Sequence, residues 1–331
     1  MSQMRKNIIT GEWVIVAGNR YKKPYAYKHS RTAKENCTTV CPFCVGNEEM
    51  TTEERYRVEE NGAWQVRVFK NKYPAVDDEV FETSDDMFYT FEEGKGFHEV
   101  LVDTPVHGQE PHTFSTEKMC QVLRAISDRV ELIKTMDGIK YVQVFKNNGP
   151  MAGASIAHSH WQIIGIPLVP MEQERSLISF EKYMKEKGKC LLCDMLEHEK
   201  EENVRIVYEN DDFAVFIPYA AKFCFELYIV PKRHMKAFSD MTDSEFMSLA
   251  DALKDTMHGV TLLREEISYN VCLQDAPKEC GGEYHWYIRI IPRIGALAGF
   301  EHGTSCYINP MMPEDAARTM RENMKIVLEG K

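Results

Sequence analysis

No stretch of about 18 consecutive apolar residues occurs in the 331-residue chain, so no membrane-spanning helix is expected. The opening MSQMRKNIITGEW lacks the apolar core of a secretory signal, which makes a cytoplasmic location the expectation. Positive charge is also scarce: 40 Lys and Arg stand against 51 Asp and Glu, a formal net charge of −11. A nucleic-acid binder needs many phosphate-neutralising cations on one face, so nucleic acid is not an expected partner. A small phosphorylated ligand needs only a few local positive groups and stays open. Apolar residues are plentiful at 44%, enough for one duplicated domain or two ordinary ones with a proper core.

The ten cysteines do not read as a disulfide framework. Four fall in two Cys-x-x-Cys pairs, Cys41/Cys44 and Cys190/Cys193, in a large chain with no export signal, which favours metal or reduced thiols. The other six (Cys37, Cys120, Cys224, Cys272, Cys280 and Cys306) follow no ligand spacing and read as packing residues.

The informative features come in pairs along the chain. HEVLVDTPVH ends at His107 and FELYIVPKRH at His234, 127 residues later (234 − 107), and the histidines that open HSHWQIIGIP and HWYIRIIPRI, His158 and His285, keep the same offset. Between them lie amphipathic stretches at 115–136 and 242–263, with Ser115 and Thr242 as N-caps and Thr242-x-x-Glu245 as a capping box. Alternating β-rich segments flank each stretch, so an antiparallel α+β unit duplicated within the chain is expected. The boundary is placed between 1–175 and 176–331, in a polar stretch that reads as helical, and Pro313 opens a closing helix.

Each half supplies the four ligands of a structural zinc site, a Cys-x-x-Cys knuckle plus two histidines. The first set is Cys41, Cys44, His107 and His158, and the second is Cys190, Cys193, His234 and His285. His98 and His112 compete with His107, but only His107 has a partner at the repeat offset; reduced knuckles beside buried histidines are the alternative.

Chemistry is sought where the halves differ. The offset carries His160 onto Tyr287, Gln162 onto Arg289 and Asn147 onto Gln274. On a strand, His158 and His160 would share a face, with Ser159 on the other. His160 is then a free imidazole beside a metal-fixed neighbour, able to attack phosphorus if its other nitrogen donates to a carbonyl. Gln162 offers an amide donor that cannot act as a general acid, which suits a sugar phosphate as leaving group. Upstream, NNGPMAGAS is a small-residue loop able to bring backbone N–H groups to a diphosphate.

NNGPMAGASIAHSHWQ closely resembles the signature of the galactose-1-phosphate uridylyltransferase family of the histidine-triad superfamily, with Ser159 where the family usually has proline. The resemblance extends through ITGEWVIVAGNRYKKP, CPFCVGNE, VRVFKNKYPAV, HEVLVDTPVH and GFEHGTSCYINP, nearly the whole chain. It implies two tandem histidine-triad-like units, the first catalytic and the second degenerate, with zinc in both and iron as the alternative in the second. It makes His160 the nucleophile and Gln162 a phosphate-contacting amide. Asn147, Gly153 and Ser155 would contact the nucleotide phosphates, Asn71 the ribose or base, and Glu301 the substrate. Arg20 and Lys23 match residues that reach the nucleotide from a neighbouring subunit, implying a homodimer with shared sites. The segment GALAGFEHGTSCYIN lacks the lysine and aromatic that touch the sugar in galactose-specific members and is similar to branches that include plant ADP-glucose phosphorylase.

Three activities follow as expectations. The first is transfer of uridylyl from UDP-glucose to a hexose 1-phosphate, and the second is phosphorolysis or adenylyl transfer with an ADP-sugar. The third is a zinc-stabilised nucleotide-binding module without turnover, which intact His160, Gln162 and the glycine loop argue against.

Overall fold

The alternating segments of both halves become strands of one sheet. The computed structural model describes residues 2–6, 9, 13–17, 41–76 and 96–331; Arg20, Lys23, His29 and Cys37 lie outside them. Two N-terminal strands, β1 (Ser2–Lys6) and β2 (Trp13–Ala17), precede the first half's β3 (Glu54–Glu60), β4 (Ala63–Lys70) and β5 (Phe97–Val102). Helix α1 (Thr116–Thr135), β6 (Tyr141–Asn148) and β7 (His160–Ile166) complete that half. After α2 (Met171–Lys187) and α3 (Leu191–Glu202), the second half repeats the order as β8 (Ile206–Glu209), β9 (Phe213–Phe216), β10 (Leu227–Pro231), α4 (Asp243–Thr261), β11 (Tyr269–Gln274) and β12 (Tyr287–Pro292). The chain closes with α5 (Gly299–Thr304), β13 (Tyr307–Asn309) and α6 (Pro313–Glu329).

The ten central strands run in the order β3-β4-β5-β7-β6-β11-β12-β10-β9-β8, a sequence that reads the same from either end once each strand is replaced by its counterpart. The α+β duplication is therefore present as a continuous antiparallel sheet. The halves meet where β6 pairs with β11, in the register Phe145↔Cys272. Residues 145 and 272 also differ by the repeat offset, so this pair lies on the pseudo-two-fold axis. The boundary expected between residues 175 and 176 falls inside α2. A smaller sheet, β1-β2-β13, was not foreseen.

Side-chain alternation gives the sheet two unlike faces. One is covered by α1, which packs on β6, β7 and α4, while α4 in turn packs on β9 and α6. Met119, Val122, Leu123, Ile126, Val130 and Ile133 recur at helical spacing along α1 and are all buried, which is why this stretch folds as a helix onto the sheet. The opposite face carries Gln162, Phe145, Cys272 and Arg289 in one row across four strands. Gln162 and Arg289, counterparts in the repeat, are thus about 14 Å apart at about 4.8 Å per strand.

Both expected caps form. Ser115 accepts from the Lys118 N–H, and Thr242 and Glu245 make the reciprocal capping box. Pro313 stands in the first turn of α6, as expected. Glu245 is also clamped by Arg233, whose Nε and Nη2 donate to its two carboxylate oxygens at 2.8 and 3.0 Å.

That clamp generates a prediction. The hydrogen bond from Arg233, reinforced by the Thr242 N–H and hydroxyl, holds the Glu245 carboxyl at about 2 against an ordinary 4.5. A carboxyl depressed by folding contributes stability that is complete above its unfolded value and lost as pH falls towards its folded one. In urea titrations, the stability gap between the wild type and Glu245→Gln should be constant above about pH 5 and shrink between about 4.5 and 2. A gap independent of pH would show that the clamp is not an ionic one.

Candidate active site and metal centres

Each knuckle meets its two histidines. Cys44 Sγ lies 3.4 Å from His107 Nδ1, and the Cys41 and Cys44 sulfurs each lie 3.7 Å from His158 Nδ1. In the second half the corresponding separations are 3.7 Å for Cys190 to His285, 3.3 Å for Cys193 to His285 and 3.7 Å for Cys193 to His234. In both sets all four ligand atoms lie within 4.8 Å of one another. A tetrahedral ion with metal–sulfur bonds near 2.3 Å and metal–nitrogen bonds near 2.0 Å has sulfur–nitrogen edges of about 3.5 Å, so both donor sets fit such an ion.

The outer contacts agree. His158 Nε2 donates to the Thr104 carbonyl at 2.8 Å and His234 Nε2 to the Gly282 carbonyl at 2.8 Å, which leaves each Nδ1 lone pair aimed at the cluster. A hydrogen bond from Cys193, with help from the His285 ring, holds the Cys190 thiol far below the ordinary range. Both clusters could thus hold a metal ion. His98 and His112 belong to neither.

His160 is the first residue of β7, so His158 lies in the bend before the strand. The alternation expected to align the two histidines therefore applies only from His160 onward. What joins them instead is a hydrogen bond: His160 Nδ1 lies 2.8 Å from the His158 carbonyl oxygen. A carbonyl can only accept, so the proton sits on Nδ1 and the lone pair on Nε2. Burial holds the ring below the ordinary imidazole range, which keeps it neutral. Phe43, inside the first knuckle, packs edge-on against both rings at 6.1 and 5.4 Å between centroids.

Ser159 points away, into the helix-covered side. There the fully buried Lys146 ammonium donates to Asp103 at 3.0 Å, to Ser159 at 2.7 Å and to the His160 carbonyl at 3.1 Å, while Ser159 and Trp161 also donate to Asp103. The serine that replaces the family's proline is thus part of a buried polar cluster holding the backbone of His160.

On the site face, His160, Gln162, Asn147 and His98 occupy adjacent strands, with Val102↔His160 and Val100↔Gln162 fixing the register of β5 on β7. Gln162 Oε1 is 2.9 Å from His98 Nε2, and Asn71 stands beside the same ring at 3.0 Å. The glycine loop follows β6. Gly149 at φ +80 allows a close approach to Ser268, whose side chain would clash with any Cβ there, and Gly153 at φ +86 ends the turn in the left-handed region. The N–H groups of Met151, Ala152, Gly153 and Ala154 hydrogen-bond within the fold. Ser155, the next residue of the loop, is exposed. Glu301 lies apart from this cluster: its two carboxylate oxygens accept from the Ala298 and Ile308 N–H groups, capping α5 and tying it to β13.

In the second half the counterpart positions are filled by their own side chains. Tyr287 packs on Tyr228 at 4.8 Å, and Arg289 is neutralised by buried Glu226 at 2.7 and 3.0 Å and by Glu172 at 2.9 Å. A cavity of about 290 Å³ beside them is lined by Glu172, Lys222, Cys272, Arg289 and Arg293 among others. Its charged groups pair with one another, Lys222 and Arg289 both meeting Glu172.

A neutral imidazole with one free nitrogen, set among amide donors on a doubled antiparallel sheet, equips the chain for nucleophilic transfer of a phosphoryl-type group, and the class it defines is the nucleotidyltransferases. Residues 1–170 match the profile of the galactose-1-phosphate uridyl transferase N-terminal domain, and the chain belongs to that family. Residues 112–330 also match a domain of unknown function, DUF4921. The chain is 34% identical to ADP-glucose phosphorylase of Arabidopsis thaliana, with 97% of this chain and 92% of that protein covered. It is 30% identical to the galactose-1-phosphate uridylyltransferase of Thermotoga maritima, with 97% and 98% covered. The crystal structure of the Arabidopsis ADP-glucose phosphorylase with bound ADP-glucose superposes with a TM-score of 0.84 at 31% identity, covering 97% of this chain and 99% of that one. A uridylyltransferase structure superposes at 0.79 with 26% identity, covering 99% and 100%.

Reading the sequence weighed His98, which has no repeat partner, only as a rival metal ligand, and passed over Asn270, a polar residue on a buried strand. The alternation of GFHEVLV, which puts His98 on the face of Val100 and Val102, was the one available signal.

The metal centres yield a second prediction. Purified protein should carry about two metal ions per chain, and Cys41→Ser should lose about one of them and melt at a lower temperature, because ligation is coupled to folding. Elemental analysis finding less than one ion per chain in untreated protein would contradict the assignment of both centres.

Proposed function

We propose that the chain transfers a nucleoside monophosphate between a nucleotide sugar and a phosphate acceptor, through a covalent nucleotidyl group on His160. The observation that carries this reading is the His160 Nδ1–H hydrogen bond to the His158 carbonyl, which leaves Nε2 as the nucleophilic atom. Nε2 attacks the α-phosphorus of the nucleotide sugar, an N–P bond forms, and the P–O bond to the sugar phosphate breaks. The departing oxygen is weakly basic and needs no proton, in keeping with an amide at position 162 in place of an acid. The ring gains positive charge as the bond forms, and the His158 carbonyl beside Nδ1–H stabilises it. An incoming sugar 1-phosphate oxygen then attacks the same phosphorus and the N–P bond breaks.

Gln162 and Asn147 contact the phosphoryl oxygens in this reading, Gly153 and Ser155 the remaining phosphate, and Asn71 the nucleoside. Residues 1–175 carry the chemistry and 176–331 serve as its degenerate counterpart. Both centres take zinc, with iron the alternative in the second; Arg20 and Lys23 reach the nucleotide from the neighbouring subunit of a homodimer, and Glu301 contacts the substrate. For the donor, UDP-glucose with a hexose 1-phosphate is the first reading. Phosphorolysis of ADP-glucose is the second, favoured by the 34% identity to the Arabidopsis enzyme and by the GFE, GT and INP motifs around Glu301.

Incubation with UDP-glucose or ADP-glucose alone, followed by intact mass measurement under non-acidic conditions, should show one added nucleoside monophosphate per chain, and the acceptor phosphate should discharge it. A uridylyl mass selects the first reading and an adenylyl mass the second. His160→Ala should fall below about a thousandth of wild-type turnover, whereas Tyr287→Phe should keep most of it. Turnover without an adduct, with sequential kinetics, would refute the covalent mechanism.

A further inference from the structure

Three side-chain amides assigned to substrate in the proposed mechanism share a pattern: in each, an N–H of the protein holds the oxygen. Asn71 Oδ1 accepts from the Tyr73 backbone N–H at 2.8 Å. Asn147 Oδ1 accepts from Asn270 Nδ2 at 2.7 Å. Gln162 Oε1 accepts from His98 Nε2 at 2.9 Å.

The polarity of each contact follows from groups that have only one role. The Ala75 backbone N–H points at His98 Nδ1 from 2.9 Å, so Nδ1 must be the accepting nitrogen and Nε2 must carry the proton. The protonated Nε2 then requires an oxygen from Gln162, and the Asn71 nitrogen 3.0 Å away is its neighbour and not its donor. Asn270 Nδ2 also donates to the Ala152 carbonyl at 2.9 Å, and Asn270 Oδ1 accepts from Arg293 Nε, so its orientation is settled on both sides. Asn147 can only answer with its oxygen.

An amide rotated by half a turn presents an acceptor where it presented a donor. Facing a phosphoryl group that gains negative charge, one orientation stabilises and the other repels. A glutamine or asparagine free to rotate in water holds neither. We propose that His98 and Asn270 are positioning residues that lock Gln162 and Asn147 with their NH₂ groups towards the reacting phosphate. Asn270 and Arg293 lie in the degenerate half, so the lock on Asn147 gives that half a direct part in the chemistry of the other. The inference rests on the covalent reading above and deepens it.

Two mutant cycles test it, read as the rate of nucleotidyl-adduct formation from whichever of UDP-glucose and ADP-glucose labels the wild type. His98→Ala should slow adduct formation about tenfold, less than the roughly hundredfold expected when Gln162→Ala removes the donor itself. In the Gln162→Ala background, His98→Ala should cost less than about twofold, because there is no amide left to orient. Asn270→Asp, which turns the donor facing Asn147 into an acceptor, should behave alike: about tenfold alone and less than about twofold on top of Asn147→Ala. His98→Gln, able to place an N–H where Nε2–H stands, should recover part of the loss, and metal content should stay at the wild-type value throughout. Additive cycles, or losses that track metal content, would overturn the lock and leave a merely structural role. A wild type that forms no adduct with either donor would instead overturn the covalent mechanism on which it rests.

Discussion

The antiparallel pairing of β6 with β11 is the constraint from which the rest of this molecule follows. It joins two copies of one unit into a single sheet, with Phe145 opposite Cys272 on the pseudo-axis, and so sets the working face of the first half beside the corresponding face of the second. Without that seam each half would end in an open edge with unpaired backbone groups. With it, Asn270 lies opposite Asn147, and its side-chain amide reaches across the seam to the Asn147 oxygen.

The two faces of the sheet divide the labour. Under the helices, the buried Lys146–Asp103 pair gathers Ser159, Trp161 and the His160 carbonyl, fixing the backbone from which the His160 ring projects. A buried ion pair is weak evidence of net stability, but losing one partner leaves a bare charge in the core, so it strongly enforces a single arrangement. On the opposite face the first half presents the His160 ring, which burial holds below the ordinary imidazole range, beside the amides of Gln162 and Asn147, and the nearest metal donor set is held one bend away.

The second half fills the counterpart positions with contacts of its own. Arg289 at the place of Gln162 would be a strong anion binder, yet Glu226 and Glu172 satisfy it from within, and Tyr287 at the place of His160 is stacked on Tyr228. The half keeps its knuckle and histidines, whose four donor atoms converge as in the first half.

Much of this was legible in the chain. The offset of 127 residues, the two capping residues Ser115 and Thr242, the eight-residue ligand roster and the fold class could all be read from spacing, because hydrophobic period, cap chemistry and the reach of a Cys-x-x-Cys knuckle are local properties of sequence. The carbonyl contact that His160 needs could be anticipated only as a condition. Which atoms meet across strands could not be read: the seam between β6 and β11, the tautomer of His98 set by the Ala75 N–H, the use of the loop N–H groups at 151–154 within the fold, and the internal ion pairs that silence Arg289. Hydrogen-bond polarity depends on which donor or acceptor arrives from a residue tens of positions away. Spacing along the chain specifies which residues share a face, and only the packed structure decides what each one faces.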